Sequence, residues 1–267
     1  MPEFAVYLKM FFSFGYLTAM LKKERQAHIL HRVNVHNRVL SIDLCNEMQV
    51  SEDTIRRDLN ELADQGRIIK VHGGALSKSF HSSLQPTDVY SQDKKKIIGK
   101  KAANLIHDGM FVLTTGGTTI IELARLLPEQ LRATFITGSL PAALEYIQHP
   151  NLDVIVIGDR ISRNSQITVG GEAIWKIRQI KADICFLGIN AIDVNNGITD
   201  SDWEVVQVKR AMIESSETIV ALSISEKINT TQKISVCGLK KIDLLVTELS
   251  PEDPLLIPYR SAGMQVI

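Results

Sequence analysis

Apolar residues recur at helical spacing in the first third of the chain and come mainly as short continuous runs in the rest. Across Lys22 to Val33, Ile29, Leu30 and Val33 fall on one side while Lys22, Lys23, Arg25 and Arg32 take polar positions, which predicts a supporting helix. Ser41 to Met48 predicts a short second helix, with Ser41 as its cap and Leu44, Cys45 and Met48 turned inward. Gln49 and Val50 make a turn before a third helix, Ser51 to Gln65. There Ser51 caps, Glu52 and Asp53 put acid in the first turn, Ile55, Leu59 and Leu62 form one stripe, and Gly66 stops the helix. Arg67 to Val71 then reads as a strand running into a turn at Gly73-Gly74. Two helices packed at a steep angle and followed by a basic hairpin predict a winged helix-turn-helix domain over residues 20–76.

From Ser77 to Thr87 the chain is rich in Ser with one Pro, and residues 77–92 are expected to link two domains. Asp93 to His107 predicts a basic amphipathic helix, with Ile97, Ile98, Ala102 and Leu105 packing and Lys94, Lys95, Lys96, Lys100 and Lys101 in solvent, the alternative being that these lysines line an anion site. Apolar runs at Phe111–Leu113, Thr134–Ile136, Leu152–Ile157, Ile184–Leu187, Thr218–Leu222 and Leu244–Val246 follow, with helical patterns at Ile120–Leu127 and Pro141–Gln148. Leu152–Ile157 in particular reads as a buried strand. Continuous apolar strands alternating with helices predict an α/β domain with a mainly parallel sheet over 93–267.

The 267 residues suit two domains, and 45% hydrophobic with 22% charged residues supply enough apolar mass for real cores. A formal net charge of zero removes any overall basic field, so affinity for nucleic acid has to come from local clustering. Cys45, Cys185 and Cys237 are few and far apart; they fit buried thiols in a reducing, cytoplasmic compartment and match no zinc or disulfide pattern. His28, His31 and His36 lie near one another without a partner at ligand spacing, so neither a metal nor a cofactor is expected. Phe4 to Leu21 is apolar, but Met-Pro-Glu precedes it where a signal peptide has a basic region, and Lys9 interrupts it, so it is marginal as a membrane span. Residues 1–19 are therefore expected to be an extension ahead of a native start at Met20, with an ordered or dimerisation segment, or a membrane anchor, as the alternatives.

The third helix carries the first candidate chemistry. Opposite its apolar stripe lie Ser51, Thr54, Arg56, Arg57 and Asn60, types that donate to phosphate oxygens or base edges. A helix of this kind enters the major groove with its N-terminal residues at the bases. Neighbours on a helix lie about 100° apart, so one of Arg56 and Arg57 is expected to read a guanine edge and the other to clamp a phosphate. Ser41 at the preceding helix start, and Lys70 and His72 on the hairpin, complete the expected DNA contacts. The competing reading is a solvated face whose arginines pair with Asp53, Asp58 or Glu61.

In the second half, small polar residues gather just beyond strand ends, the edge at which open α/β sheets bind ligands. Thr114-Thr115-Gly116-Gly117-Thr118-Thr119 offers hydroxyls, freed backbone and the N–H groups of the next helix to an anion. Thr137-Gly138-Ser139 is a second loop of this kind, and Lys227 lies at a later strand end. Together they point to a phosphate-bearing ligand.

ERQAHIL and VSEDTIRRDLNELADQGRIIKVHGGA resemble the DNA-binding domain of DeoR-type bacterial transcription regulators. DKKKIIGKKAA, TTGGTT, FLGINAIDVNNGIT and EVVQVKRAMI resemble the sensor domain of the same family, which is related to sugar-phosphate isomerases. The resemblance implies a homo-oligomeric repressor of carbohydrate genes, bound to double-stranded operator DNA and controlled by a phosphorylated sugar or related metabolite. Three positions depart from the family pattern: Thr114 where Asp usually stands, Gly158-Asp159 in place of Gly-Gly, and no Asp ahead of Lys227.

Two other functions stay open at this point. One is a sugar-phosphate isomerase fused to a DNA-binding domain, for which Asp159, Glu172, Asp193, Asp200, Asp202 and Glu204 are the available acids. The acidic catalytic loop of ribose phosphate isomerases has no clear counterpart, since the segment here is Gly188 to Asp193, and these acids are expected to cap helices or bind hydroxyls. The other is an architectural DNA-binding protein with a structural second domain.

Overall fold

A computed structural model of the chain describes residues 20–78 and 89–267. The expectation for residues 1–19 and most of the expected linker lie outside the described residues.

The N-terminal domain runs α1 (Lys22–His36), β1 (Arg38–Leu40), α2 (Ser41–Met48), α3 (Glu52–Asp64), β2 (Ile68–Val71) and β3 (Gly74–Ser77). Its core joins Ile29 and Val33 of α1, Leu44 of α2, and Ile55, Leu59 and Leu62 of α3 to Ile68 and Ala75 of the wing. Ser51 caps α3, its Oγ accepting from the Thr54 amide. At the other end Gly66 takes φ +68°, and the amides of Gly66 and Arg67 donate to the carbonyls of Ala63 and Leu62. This is the doubly hydrogen-bonded left-handed stop that glycine permits.

Four details differ from expectation. The first helix runs on to His36, three residues past Val33. Leu40, not Ser41, stands at the cap position of α2; Ser41 is already helical and its amide donates to the Gly73 carbonyl. The wing turn is His72-Gly73, with Gly74 inside β3, where a Cβ would lie 2.0 Å from the Val39 carbonyl oxygen. β1 is an unforeseen third strand, giving an antiparallel sheet of order β1-β3-β2 that reaches Ser77, inside the expected linker.

The second domain begins with α4 (Gln92–Ala103) and continues β4 (Phe111–Thr114), α5 (Thr118–Arg125), β5 (Thr134–Thr137), α6 (Leu140–Tyr146) and β6 (Asp153–Val156). A short pair, β7 (Arg160–Ile161) and β8 (Thr168–Val169), precedes α7 (Gly171–Arg178), β9 (Ala182–Gly188), β10 (Ala191–Asp193), β11 (Gly197–Asp200) and α8 (Trp203–Glu214). The chain ends with β12 (Ser216–Leu222), β13 (Ile234–Cys237), β14 (Leu244–Val246), α9 (Ile257–Ser261) and β15 (Gln265–Val266).

Seven strands form one wholly parallel sheet in the order β15-β14-β12-β9-β4-β5-β6, while β10, β11 and β13 make a small antiparallel sheet beside it. Alternation along the strands separates two cores. Val112, Phe135, Ile184, Phe186 and Val220 pack with α4, α5 and α6 on one face. Leu113, Ile136, Cys185, Leu187 and Ala221 pack with α7, α8 and α9 on the other.

Two readings of this domain need correction. β6 is an edge strand paired only with β5, so Ile155 and Val156 are exposed where a buried strand was expected. In α4, Ile97 points to solvent and Lys95 is buried. Lys95 shares a face with Ile98 and Ala102, at helical spacings of three and seven residues, and helical phase outweighs residue type.

Candidate functional site

Strand order places the site. From β4 the chain adds strands outward through β5 to β6; it then returns to β9 on the opposite side of β4 and builds outward through β12, β14 and β15. Connections leaving β4 and β9 therefore diverge, and in an open parallel sheet the crevice beyond the C-terminal ends of such a strand pair is where ligands bind. The loop after β4 is Thr115 to Gly117, and β9 ends in Gly188, followed by Ile189 and Asn190. All of these residues line one cavity.

Close backbone approach holds the two loops together. Thr115 Oγ1 accepts from the Gly188 amide at 2.8 Å, and the Thr115 amide donates to the Phe186 carbonyl at 3.1 Å. A Cβ on Gly188 would sit 2.7 Å from the Gly116 carbonyl oxygen, and one on Gly116 would sit 2.7 Å from the Ile167 side chain. Gly117 precedes α5 with φ +113°, so Thr118 and Thr119 open the helix at the cavity wall with their amides at its positive end.

Three lysines reach the same space. Lys227, in the turn after β12, donates to the Ile189 carbonyl at 2.7 Å. Burial, with Lys95 and Lys209 nearby, pulls its pKa down to about 7. Lys95 donates to the Tyr90 carbonyl at 2.6 Å, and burial lowers its pKa to about 8. Lys209 is paired with Asp200 at 2.6 Å, both buried. Asp200 also accepts from Asn190 Nδ2 and the Ser201 amide at 2.7 Å each. These partners overcome its burial and hold its carboxyl below the usual carboxylate range. Lys95 and Lys227 make no ion pair among the described residues. A cavity lined by two unpaired cations, a helix N-terminus and threonine hydroxyls can neutralise an anion.

The expected ligand residues divide. Thr115, Gly116, Gly117, Thr118, Thr119 and Lys227 line the cavity; Thr114, Thr137, Gly138 and Ser139 stand behind it. Thr114 is buried and accepts from the Tyr146 hydroxyl, while its carbonyl accepts from Thr137 Oγ1 at 2.9 Å. Ser139 caps α6, and a Cβ on Gly138 would strike Thr168. This second loop follows β5, one strand away from the divergence, so its polar groups brace the first loop. Asp200 was among the acids expected to cap helices or bind hydroxyls, and Lys95 was read as solvated although helical phase was a usable signal for it; Asn190 and Lys209 went unassigned, because placing them needed the strand order.

The cavity's remaining wall is the N-terminal domain, through Asn34, His36, Asn37 and Arg38. Buried His36 places Nδ1 3.2 Å from the Asn190 carbonyl oxygen and Nε2 2.9 Å from Arg32 Nη1. Burial, then the charges of Arg32 and Lys227, pushes its pKa down to about 4. The neutral ring therefore carries its proton on Nδ1 and accepts from Arg32 on Nε2.

Elsewhere in that domain, α3 presents Arg56, Arg57 and Asn60 in the open with Ser51 exposed at its cap, Lys70 and His72 exposed on the wing and Thr54 half-buried. Arg56 and Arg57 both reach Asp53 at 2.7 Å, with their side chains 67% and 76% exposed, so the pairing is screened by water and open to exchange for phosphate. Asn60 accepts from Lys70, joining helix to wing. Asp58 of the same helix is buried against Arg25 and Gln26 of α1, and that pair orients α3. Among the described residues no cluster of His, Cys, Asp or Glu could hold a metal ion, and no helix is long and apolar enough to cross a membrane.

Comparison with known proteins follows the same division. Residues 25–80 match the DeoR-like helix-turn-helix domain and residues 90–249 the DeoR C-terminal sensor domain. The regulator GolR of Listeria innocua is 30% identical over 92% of this chain and 98% of its own length. The repressor GlcR of Bacillus subtilis is 32% identical over 87% of this chain and 90% of its own. The glycerol-3-phosphate regulon repressor of Escherichia coli is 27% identical over 87% and 93%. Among solved structures, a ribose-5-phosphate isomerase in complex with phospho-erythronic acid overlaps 51% of this chain and 53% of its own at 18% identity, with a TM-score of 0.38. With a winged helix-turn-helix as one domain, a parallel-sheet cavity in the other and both family domains matched in order, the chain belongs to the DeoR family of transcription regulators.

Proposed function

We propose that this protein is a cytoplasmic repressor of carbohydrate-metabolism genes whose hold on operator DNA is controlled by a phosphorylated sugar or related metabolite. The observation that carries the reading is the cavity where β4 and β9 diverge, with Lys95 and Lys227 unpaired beside the Thr115–Thr119 loop. The names of relatives support the output: GlcR is called a repressor, and the Escherichia coli relative represses a glycerol-3-phosphate regulon. A homodimer or higher oligomer fits a helix-turn-helix that reads paired half-sites.

The acids weighed for isomerase chemistry support binding over catalysis. Asp159 accepts from the amides that open α7, Asp202 caps α8, and Asp193 holds a turn through Asn195 and Asn196. Glu172 pairs with Lys176, and Glu204 with Arg160. Asp200 is held ionised by Lys209, the reverse of the raised pKa a proton-transferring carboxylate needs near neutrality.

The test is operator binding by the full-length protein with and without a panel of triose, pentose and hexose phosphates, alongside an assay for their interconversion. One member of the panel should change operator affinity without being turned over. A panel that neither binds nor alters operator affinity rejects the ligand class, and turnover establishes the enzyme instead.

A further inference from the structure

Building on the ligand class just proposed, the cavity carries an additional assignment, because one of its walls belongs to the DNA-binding domain. α1 ends at Asn37, which takes φ +62°, and the chain turns there into β1 beside the phosphate loop and the β7–β8 loop. Two residues lining this space each hold a buried side-chain atom without a hydrogen-bond partner: Nε of Arg38 on one domain and Oγ of Ser165 on the other. A buried donor without an acceptor is costly and rare, and one on each side of the same cavity is what a ligand spanning it would satisfy. At the cavity itself the domains are joined by His36 to the Asn190 carbonyl and by Asn37 Nδ2 to Asn190 Oδ1 at 3.4 Å, and away from it by Lys233 with Asp43 and Tyr90 with His31.

We propose that the ligand is bound by both domains at once, its phosphate by the Thr115–Thr119 loop with Lys95 and Lys227, and its remaining acceptor oxygens by Arg38 and Asn37 of the DNA-binding domain opposite Ser165. The chemical class is a phosphorylated sugar or polyol whose hydroxyl or carboxylate oxygens can accept from a guanidinium. Inorganic phosphate satisfies only the loop and lysines. A ligand gripped from both sides favours the docked arrangement over any in which the helix-turn-helix swings away, and that difference in affinity is the coupling between ligand and operator. The DNA-binding domain is then a specificity determinant for the ligand as well as the output of the switch.

Calorimetric titration of the full chain with the sugar-phosphate panel, and with inorganic phosphate as probe of the anion subsite, tests this. Arg38→Ala and Asn37→Ala should each weaken the bound sugar phosphate by roughly tenfold while shifting inorganic phosphate by no more than about twofold. Lys227→Met should weaken both. Hydrogen–deuterium exchange on the unmutated protein supplies a reading that no folding defect can imitate: the ligand should slow exchange across residues 34–40 as well as 115–119. Wild-type affinity in both N-terminal variants, or protection confined to the α/β domain, overturns the two-domain site and leaves the ligand class standing. A protein that binds no member of the panel overturns the ligand class and this assignment with it.

Discussion

His36 of α1 donates from Nδ1 to the carbonyl oxygen of Asn190, 3.2 Å away across the domain boundary, and accepts from Arg32 on its other nitrogen. The bond from Arg32 needs a neutral ring, and the depressed pKa of about 4 keeps it neutral. If His36 becomes exposed when the domains separate, its pKa returns toward 6.5. Docking is then fully favoured above that value and loses ground as pH falls from about 6.5 toward 4. Arg32, Lys227 and His31 all face the ring and all oppose its protonation. Protection factors over residues 34–40, with the base-catalysed intrinsic exchange rate divided out, should be lower at pH 5 than at pH 7.5; equal protection would mean that His36 does not control docking.

Arg56→Ala and Arg57→Ala should each weaken operator binding, because both guanidiniums are open to solvent and held only by a screened pairing to Asp53. The base-reading arginine should cost about 1–3 kcal/mol and relax sequence preference, and the phosphate-clamping one should lower the salt slope by about one. Titrations at several salt concentrations tell the two apart. Unchanged affinity in both variants would remove the assignment of α3.

Asp58→Ala leaves Arg25 without its buried partner. The expected loss is about 2–3 kcal/mol, below the ~3–5 of a wholly buried pair because Arg25 keeps some exposure. Urea unfolding should show the N-terminal domain melting first. A loss under about 0.5 kcal/mol, the size of a typical surface change, would mean that the pair does not orient α3.

Gly117→Val places a β-branched residue at φ +113°. No atom lies within 4 Å of the new Cβ, so the strain falls on the backbone that turns the loop into α5. Ligand affinity should fall at least tenfold. A variant that answers ligand as the wild type does would move the phosphate subsite elsewhere.

Lys227 and Lys95, with pKa values near 7 and 8, lose charge as pH rises through that range. A phosphate monoester gains its second charge near pH 6, so affinity should peak between about 6 and 7.5 and fall on either side. Binding at pH 8 should take up protons, seen as a buffer-dependent calorimetric heat. No proton uptake would mean that neither lysine meets the anion.

Local rules made the N-terminal domain legible. The Ser51 cap, the Ile55–Leu59–Leu62 stripe and the left-handed Gly66 depend on residues three or four apart, and each stands where the pattern put it. The strand runs and the Thr115–Thr119 loop were legible for the same reason, since alternation and glycine spacing act over a few residues. Local pattern could not say which strands are neighbours. That β9 pairs with β4 is a long-range choice between equally apolar runs, and it alone sets Gly188 and Asn190 beside the loop while moving Thr137–Ser139 behind it. The exposure of β6 follows from its edge position in the same strand order. Lys95 was hidden by its type, because a run of three lysines reads as solvated until packing fixes the helix phase. The wall of the cavity made by His36, Asn37 and Arg38 exists only because two domains meet, and no spacing within either one encodes that meeting.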